Sequence, residues 1–226
     1  MMSNILNHAN LQYLLELNSK YVSIIANGKM PKSIEIIELI KNSAINIACD
    51  GASIKLNQQN IIPDYIIGDN DSSQDIGRAK HDYIYIEDQN SNDLSKAFNL
   101  AKQLDTKLPI LIFAANGLRE DHSLGNIALL AQFKINYPQS IHMISDYGVF
   151  TPLLVGINKI SSIIKGQISF FAFDKNNQIS CDELKWPLKN YHLNYLNSGT
   201  LNQAQDNQLN IRTETPILIY RAFESK

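Results

Sequence analysis

The residues with the clearest chemical use lie in Pro63-Asp64-Tyr65-Ile66-Ile67-Gly68-Asp69-Asn70-Asp71-Ser72, where an apolar run meets a glycine and then two carboxylates two positions apart. Such carboxylates repel unless a cation or a proton lies between them, and Mg²⁺ takes oxygen ligands of this kind together with phosphate oxygens. The stretch from Asp69 to Ser72 is also ordinary turn composition ahead of a helix, and on its own it serves either reading equally. Two further apolar runs close in acid. Ala48-Cys49-Asp50-Gly51-Ala52 sets Asp50 before a glycine that lets backbone approach a ligand, and the run 82–86 leads into Glu87-Asp88-Gln89-Asn90-Ser91-Asn92-Asp93. Asp93 stands where a helix opens, a position at which a lone carboxylate also serves the helix dipole. Asn116-Gly117-Leu118-Arg119-Glu120-Asp121-His122 adds a planar, permanently charged donor before another helix. That donor suits phosphate oxygens, although a surface loop with an ion pair from Arg119 to an acid has the same composition. Together these loops offer carboxylates for a cation and an arginine for phosphate, the recurring parts of phosphoryl-type transfer. Neither a P-loop nor a dinucleotide-binding glycine motif occurs.

These groups act together only if the elements before them end at one place. Short apolar runs over 21–26, 45–49, 64–67, 82–86, 109–114 and 140–145 alternate with amphipathic stretches. This is the pattern of an α/β, doubly wound domain with a mainly parallel sheet and helices on both faces. In open sheets of this class ligands sit beyond the carboxyl ends of the strands, where Asp50, Asp69, Asp71 and Arg119 fall. Leu94, Ala97, Phe98, Ala101 and Leu104 recur at helical spacing, as do Leu124, Ile127, Ala128 and Ala131. Ser91 or Asn92 is placed to cap the first of these helices and Asp121 the second. Beyond Tyr147 helical spacing gives way to Val-, Ile- and Phe-rich runs over 148–155, 159–164, 167–173, 208–213 and 216–222, parted by turns such as 174–177 and 197–199. This half predicts a smaller, all-β antiparallel domain. The expected organisation is an arm or accessory helix over 1–20 with Leu11, Leu14 and Leu15, an α/β domain over 21–146, and a β domain over 147–226.

The 226 residues carry 20 Lys+Arg against 22 Asp+Glu, a formal charge of -2, so no global basic field exists to hold nucleic acid or an anionic membrane. Any anionic ligand must be met by a local site. A hydrophobic fraction of 44% supplies a core. No apolar run approaches the roughly 20 residues that cross a bilayer, and the amino terminus lacks the basic flank and apolar segment of a secretory signal. The chain therefore reads as cytoplasmic. Cys49 and Cys181 are too few for a disulfide framework and lack metal-ligand spacing, so both read as packed thiols. Trp186, followed by Pro187, reads as a core or interface aromatic.

Several of these stretches, in order, resemble the motifs of the thiamine pyrophosphokinases. They are Ala26-Asn27-Gly28, Asp50-Gly51-Ala52, Pro63-Asp64 through Gly68-Asp69-Asn70-Asp71-Ser72, Asp88-Gln89-Asn90-Ser91-Asn92-Asp93, and Gly117-Leu118-Arg119-Glu120-Asp121-His122 with Asn126 behind it. A fainter echo is Gly199-Thr200-Leu201-Asn202. The resemblance implies transfer of a diphosphate from ATP to thiamine with release of AMP. It also implies a doubly wound amino-terminal domain, a carboxyl-terminal β-sandwich that helps bind thiamine, and a homodimer. By the same resemblance Asp69, Asp71 and Asp93 hold Mg²⁺ with Asp50 close by. Asn27, Gly28, Asp50, Gly51, Arg119, Asp121 and His122 surround ATP, while Gln89 and Asn202 meet thiamine. Catalysis falls to Asp71, Asp93 and Arg119: the arginine stabilises developing charge, and either carboxylate is a candidate acceptor for the proton of the attacking hydroxyl.

Some positions depart from the family pattern. Asn90 and Asn92 stand where Asp and Thr are frequent, which lowers local negative charge. Leu118 replaces the second glycine of a Gly-Gly-Arg, where a left-handed backbone would strain a leucine, and Leu201 replaces a serine, removing a hydroxyl expected near the thiamine pyrimidine. Two other classes fit the same residues: a Mg²⁺-dependent hydrolase or transferase acting on another nucleotide or alcohol, and a catalytically silent thiamine or nucleotide sensor. Retention of all three acids argues against silence, since clustered carboxylates without a ligand destabilise a fold.

Overall fold

The computed structural model describes residues 3–4, 6–17, 20–68, 83–85, 91–104 and 107–225. The chain divides into two compact units, one of Ser19–Leu129 with Tyr137–Ser145, the other of Met1–Asn18, Leu130–Asn136 and Asp146–Lys226. Strand β1 (Ser3–Asn4) and helix α1 (His8–Leu15) open the chain and count with the second unit. The first unit continues with β2 (Val22–Ile25), α2 (Ile34–Lys41), β3 (Ile45–Cys49), α3 (Ala52–Gln58), β4 (Tyr65–Gly68) and β5 (Tyr83–Tyr85). It goes on through α4 (Asp93–Leu104), β6 (Ile110–Phe113), α5 (Glu120–Ile135), whose last turns count with the second unit, and β7 (Ile141–Ser145).

β2 and β6 are buried along their whole length and β3, β4 and β7 along all but one residue, as expected of strands covered on both faces. They pair in parallel in the order β7-β6-β2-β3-β4-β5. From β2 the chain moves outward through β3, β4 and β5, then returns to lay β6 and β7 on the other side of β2. Strand order thus reverses between β2 and β6, and the carboxyl ends of these two strands flank the crevice in which doubly wound sheets take ligands. Helix α4 packs on β2, β3 and β4, burying Leu94, Ala97, Phe98 and Ala101. Asn92 caps it, its Oδ1 accepting the Ser95 N–H at 2.9 Å. Asp121 does not precede α5, which starts at Glu120, but its carboxylate does accept a free N–H of the first turn, that of His122 at 2.9 Å, while also pairing with the Arg119 guanidinium.

The second unit is an antiparallel β-sandwich of β8 (Gly148–Leu153), β9 (Gly156–Ser161), β10 (Gly166–Ala172), β11 (Ile179–Cys181), β12 (Leu188–Tyr191), β13 (Gly199–Gln203), β14 (Gln208–Thr213) and β15 (Ile217–Ser225). One sheet runs β13-β10-β15-β8 with β1 added against β15, and the other runs β12-β11-β14-β9. Leu153, Ile168, Phe170, Ile179, Leu209, Ile211, Ile217 and Ile219 belong to its buried core. Strands β11, β12 and β13 go beyond the sequence expectation. β12 is exposed at three of its four residues and so lacks apolar alternation. Gly199, expected in a turn, opens β13 because a Cβ there would come within 2.5 Å of Phe170 O. The turn at 174–177 forms as an Asx turn, with the Asn176 N–H on Asp174 Oδ1 at 2.8 Å.

Of the two forms expected for the amino-terminal segment, a helix packed on the protein is the one that forms. Leu11, Leu14 and Leu15 are buried, and Arg221, itself buried, donates from Nη1 to Leu14 O and Ser161 O and from Nη2 to Thr151 Oγ1, each at 2.7 Å. The Glu16 carboxylate accepts from the Ser161 N–H at 3.1 Å and from its hydroxyl at 2.9 Å. Burial lowers the Arg221 pKa to about 10. Cys49 and Cys181 are free and buried, and among the described residues no helix is long and apolar enough to cross a membrane. Replacing Arg221 with Met leaves Leu14 O, Ser161 O and the Thr151 hydroxyl without their donor. The expected result is a loss of about 2–4 kcal/mol in urea unfolding, with faster proteolytic clipping around α1.

Candidate active site

At the carboxyl ends of β2 and β6 the two following loops lie edge to edge. The Gly28 N–H donates to Ala114 O at 2.6 Å and the Lys29 N–H to Asn116 O at 2.8 Å. A Cβ on residue 28 would stand 2.3 Å from Ala114 O and 2.6 Å from Asn116 O, so only glycine permits this approach. Ala114 is held at φ 51°, a conformation alanine rarely adopts, and Gly117 turns the loop at φ 84°. Lys55 of α3 donates its ammonium to Asn27 O and Gly28 O, each at 2.8 Å, and burial lowers its pKa. On α5, Asn126 donates to Ala115 O at 2.8 Å, while the Ser123 hydroxyl accepts the Gly117 N–H at 3.3 Å and donates to Arg119 O at 2.9 Å. The loop after β3 joins the same assembly. A Cβ on Gly51 would meet Asn27 Nδ2 at 2.7 Å, and the Ser53 hydroxyl donates to Asp50 O at 3.0 Å.

With the start of α4 these loops enclose a cleft of about 840 Å³. That volume lies within the range of small-molecule sites. Asp93 and Lys96 stand on its α4 side; Lys96 is 5% exposed, with Nζ 3.5 Å from Asp93 Oδ1. Arg119 is largely exposed, its Nε 3.1 Å from Asp121 Oδ1 and its Nη2 2.6 Å from Oδ2. The hydrogen bond from Arg119, with that from the His122 N–H, holds the Asp121 carboxyl down to about 2, and the pairing raises the Arg119 pKa. Burial, then the negative charge of Asp93 and Asp50, pushes the Cys49 thiol up, so it is no nucleophile at neutral pH. The chemistry on offer is a carboxylate oxygen for a hard cation, with cationic side chains for an anion.

Of the residues singled out in the sequence, Asn27, Gly28, Asp93, Arg119, Asp121 and His122 line the cleft, and Asp50 and Gly51 belong to the loop that backs Asn27. Asp69, Asp71 and Gln89 lie outside the described residues. Among the described residues no three acids, histidines or cysteines converge on a metal position. Asn202 is buried in the second unit with its amide committed to backbone: Nδ2 donates to Trp186 O at 2.8 Å, and Oδ1 accepts from the Trp186 N–H at 3.2 Å and the Gln203 N–H at 2.8 Å. It therefore positions Trp186. That side chain is not in the core: it is 56% exposed, with Lys185 Nζ 4.9 Å from its ring centroid. Sequence reasoning missed Lys55 and Lys96, because a lysine on an amphipathic helix counts as solvated. The available signal for Lys96 was its place three residues after Asp93 and beside Ala97 of the buried stripe.

The family model for the thiamin pyrophosphokinase catalytic domain matches residues 36–144, and that for the thiamin pyrophosphokinase substrate-binding domain matches residues 148–220. Over 187 residues the chain is 31% identical to the thiamine pyrophosphokinase of Bacillus subtilis (strain 168), covering 77% of this chain and 84% of that protein. The chain belongs to the thiamin pyrophosphokinase family. Solved structures of thiamin pyrophosphokinases share its fold. The Bacillus subtilis crystal structure superposes with a TM-score of 0.76 at 24% identity, covering 90% of this chain and 99% of that one. The yeast structure gives 0.76 at 16% identity, covering 94% and 89%, and that from Candida albicans 0.74 at 17%, covering 90% and 93%.

Two departures from the thiamin pyrophosphokinase motifs resolve differently. The strain expected at Leu118 is absent, because the left-handed residue next to it is Gly117. Leu201 does bear it: φ is 64°, the side chain is exposed, and the N–H meets Ser169 Oγ at 3.3 Å.

Gly28→Ala drives a methyl group into carbonyl oxygens, so thermal and urea denaturation should show a loss of about 3 kcal/mol or more. Because the Asp121 pKa is depressed, its pairing with Arg119 persists above the ordinary carboxylate range and is lost only as pH falls through about 2. A carboxyl-carbon NMR titration should place the Asp121 midpoint there, and Arg119→Ala should move it up towards the usual carboxylate range.

Proposed function

We propose that this chain is an ATP:thiamine diphosphotransferase, converting thiamine and ATP to thiamine diphosphate and AMP. The observation that carries the reading is the cleft at the β2/β6 reversal. There Asp93 and cationic side chains converge within the segment matched by the catalytic-domain model. The all-oxygen character of Asp93, with Asp50 in the loop after β3, fits Mg²⁺ better than a softer ion. Asp69, Asp71 and Asp93 would hold that ion, which when bound supplies positive charge to the phosphates.

The chain's own residues bind, orient and move the proton. The loops at Asn27-Gly28, at Asp50-Gly51 and at Arg119-Asp121-His122 receive ATP. The thiamine hydroxyl attacks the β-phosphorus in line. A new O–P bond forms as the bond from that phosphorus to the bridging oxygen of AMP breaks, and the hydroxyl proton passes to a carboxylate, Asp71 or Asp93. Arg119 stabilises the charge that develops on the phosphates. On the thiamine side we assign Gln89, and Asn202 acting through the exposed indole of Trp186, which lies in the segment matched by the substrate-binding model. We further infer a homodimer working in the cytoplasm. Two buried free thiols suit a reducing compartment, and exposed Ile157, Tyr195, Leu196 and Leu201 offer apolar surface to a second copy.

The test is AMP release by the purified protein with ATP and Mg²⁺, with and without thiamine, the product being identified by mass. Thiamine-dependent AMP with thiamine diphosphate is expected, and Asp93→Asn should lower kcat by about 10²-fold or more at unchanged fold. ADP with thiamine monophosphate, or phosphate release indifferent to thiamine, would overturn the reading.

A further inference from the structure

We propose that Lys96, rather than Arg119, is the principal cation that meets the polyphosphate of the nucleotide in the cleft. The inference rests on the diphosphotransferase reading and adds to it a residue that the motifs did not single out. Among the described residues lining the cleft, the lysine and arginine cations are Lys96 and Arg119. Arg119 is 71% exposed at its side chain and commits both Nε and Nη2 to the Asp121 carboxylate. That pair is exposed and screened by water, so Arg119 must leave Asp121 and compete with solvent before it can act on the phosphates, whereas a buried cation needs neither step. Nearby Lys55 is likewise spent, on Asn27 O and Gly28 O.

Lys96 is in the opposite situation. Its side chain is 5% exposed, and among the described residues its polar partner is Asp93 Oδ1 at 3.5 Å, the outer limit of a hydrogen bond. An ammonium carries three donors, and taking it out of water disfavours the fold unless anionic oxygens take them up. A buried lysine held so loosely in the wall of a cleft is a poor structural ion pair and a good preorganised anion site. Its low exposure also means that a phosphate oxygen meeting it does so with little competing water, where a charge-assisted hydrogen bond is strongest. Adjacency to Asp93 assigns Lys96 to the β- and γ-phosphates, the part of ATP that is transferred, since the carboxylate of Asp93 is the one proposed to face that group.

The experiment compares Lys96→Met, which keeps the length and removes the charge, with Lys96→Arg, which keeps the charge. Calorimetric binding is measured for AMP and for α,β-methylene ATP, whose altered bridge cannot be cleaved, alongside thiamine-dependent AMP release by the unaltered protein. Lys96→Met should weaken the ATP analogue by about 10- to 100-fold, the range lost with a charge-assisted contact, and leave AMP within about twofold. Its Tm should be unchanged or higher, because a buried charge has been removed, and Lys96→Arg should restore part of the analogue affinity. Equal weakening of AMP and analogue, or a lower Tm with no rescue by Arg, would make Lys96 a structural residue and overturn the proposal. Undiminished analogue affinity in Lys96→Met would overturn it while the diphosphotransferase reading stands. Failure of the unaltered protein to bind the analogue or to release AMP would remove both.

Discussion

A single contact with no room for a methyl group organises the candidate site: the amide of Gly28 against the carbonyl of Ala114. It joins the loops that leave β2 and β6, the two strands between which the winding of the sheet reverses. The loops that line the cleft opposite α4 are attached to this junction. Lys55 secures the first loop from behind, Asn126 and Ser123 secure the second from α5, and the side chain of Asn27 covers Gly51 of the third. The unfavourable backbone angle at Ala114 persists because so many hydrogen bonds converge around it. A site that must present backbone to a phosphate chain benefits from such over-determination, since preorganised groups need no rearrangement at the moment of reaction.

Charge is distributed over this frame in two ways. At Arg119 and Asp121 it is paired and hydrated, which favours recognition over strong attraction. At Lys96 the charge is buried, with the half-exposed Asp93 carboxylate 3.5 Å away, an arrangement that lowers stability until an anionic ligand arrives. Cys49 beside them is kept as a neutral thiol by burial and by the neighbouring acids. The cleft thereby confines its strong electrostatics to its interior, where they act on whatever displaces water.

Much of the fold was legible because its signals are periodic. Buried parallel strands read as short Ile-rich runs, α4 as repeating apolar positions, and the change to β structure after Tyr147 as a change of period; α5 forms too, but it buries Leu130 and Phe133 while Leu124 of the expected face is exposed. What escaped lacks a period. Strand β12 is nearly all exposed, and β13 opens on a glycine chosen for its fit against Phe170 rather than for a turn. Of the cleft lining, Asp93 and Arg119 were legible because residue type and spacing coincide there. The site was opaque where tertiary context decides: Lys55 and Lys96 look like solvent-facing lysines until the helices are docked, and Asn202 looks like a ligand contact until its amide is seen to hold Trp186. Asp121, which sequence logic placed ahead of α5, lies inside its first turn and shares its carboxylate between the His122 N–H and the neighbouring arginine.

The guanidinium of Arg221 reaches the last turn of α1 across 207 positions of sequence. A ribosome makes α1 well before β15, the strand that carries Arg221 and that follows every other described strand of the sandwich. The β-sandwich unit consequently cannot close until β15 has emerged, whereas the parallel unit has its described strands once Ser145 has emerged. Until then α1 is a short apolar helix without its partner, and helices of 8 residues are barely stable alone. The order of maturation is thus written into the topology: the loops of the cleft are made first, and the sandwich that carries Trp186 is completed only when β15 meets α1.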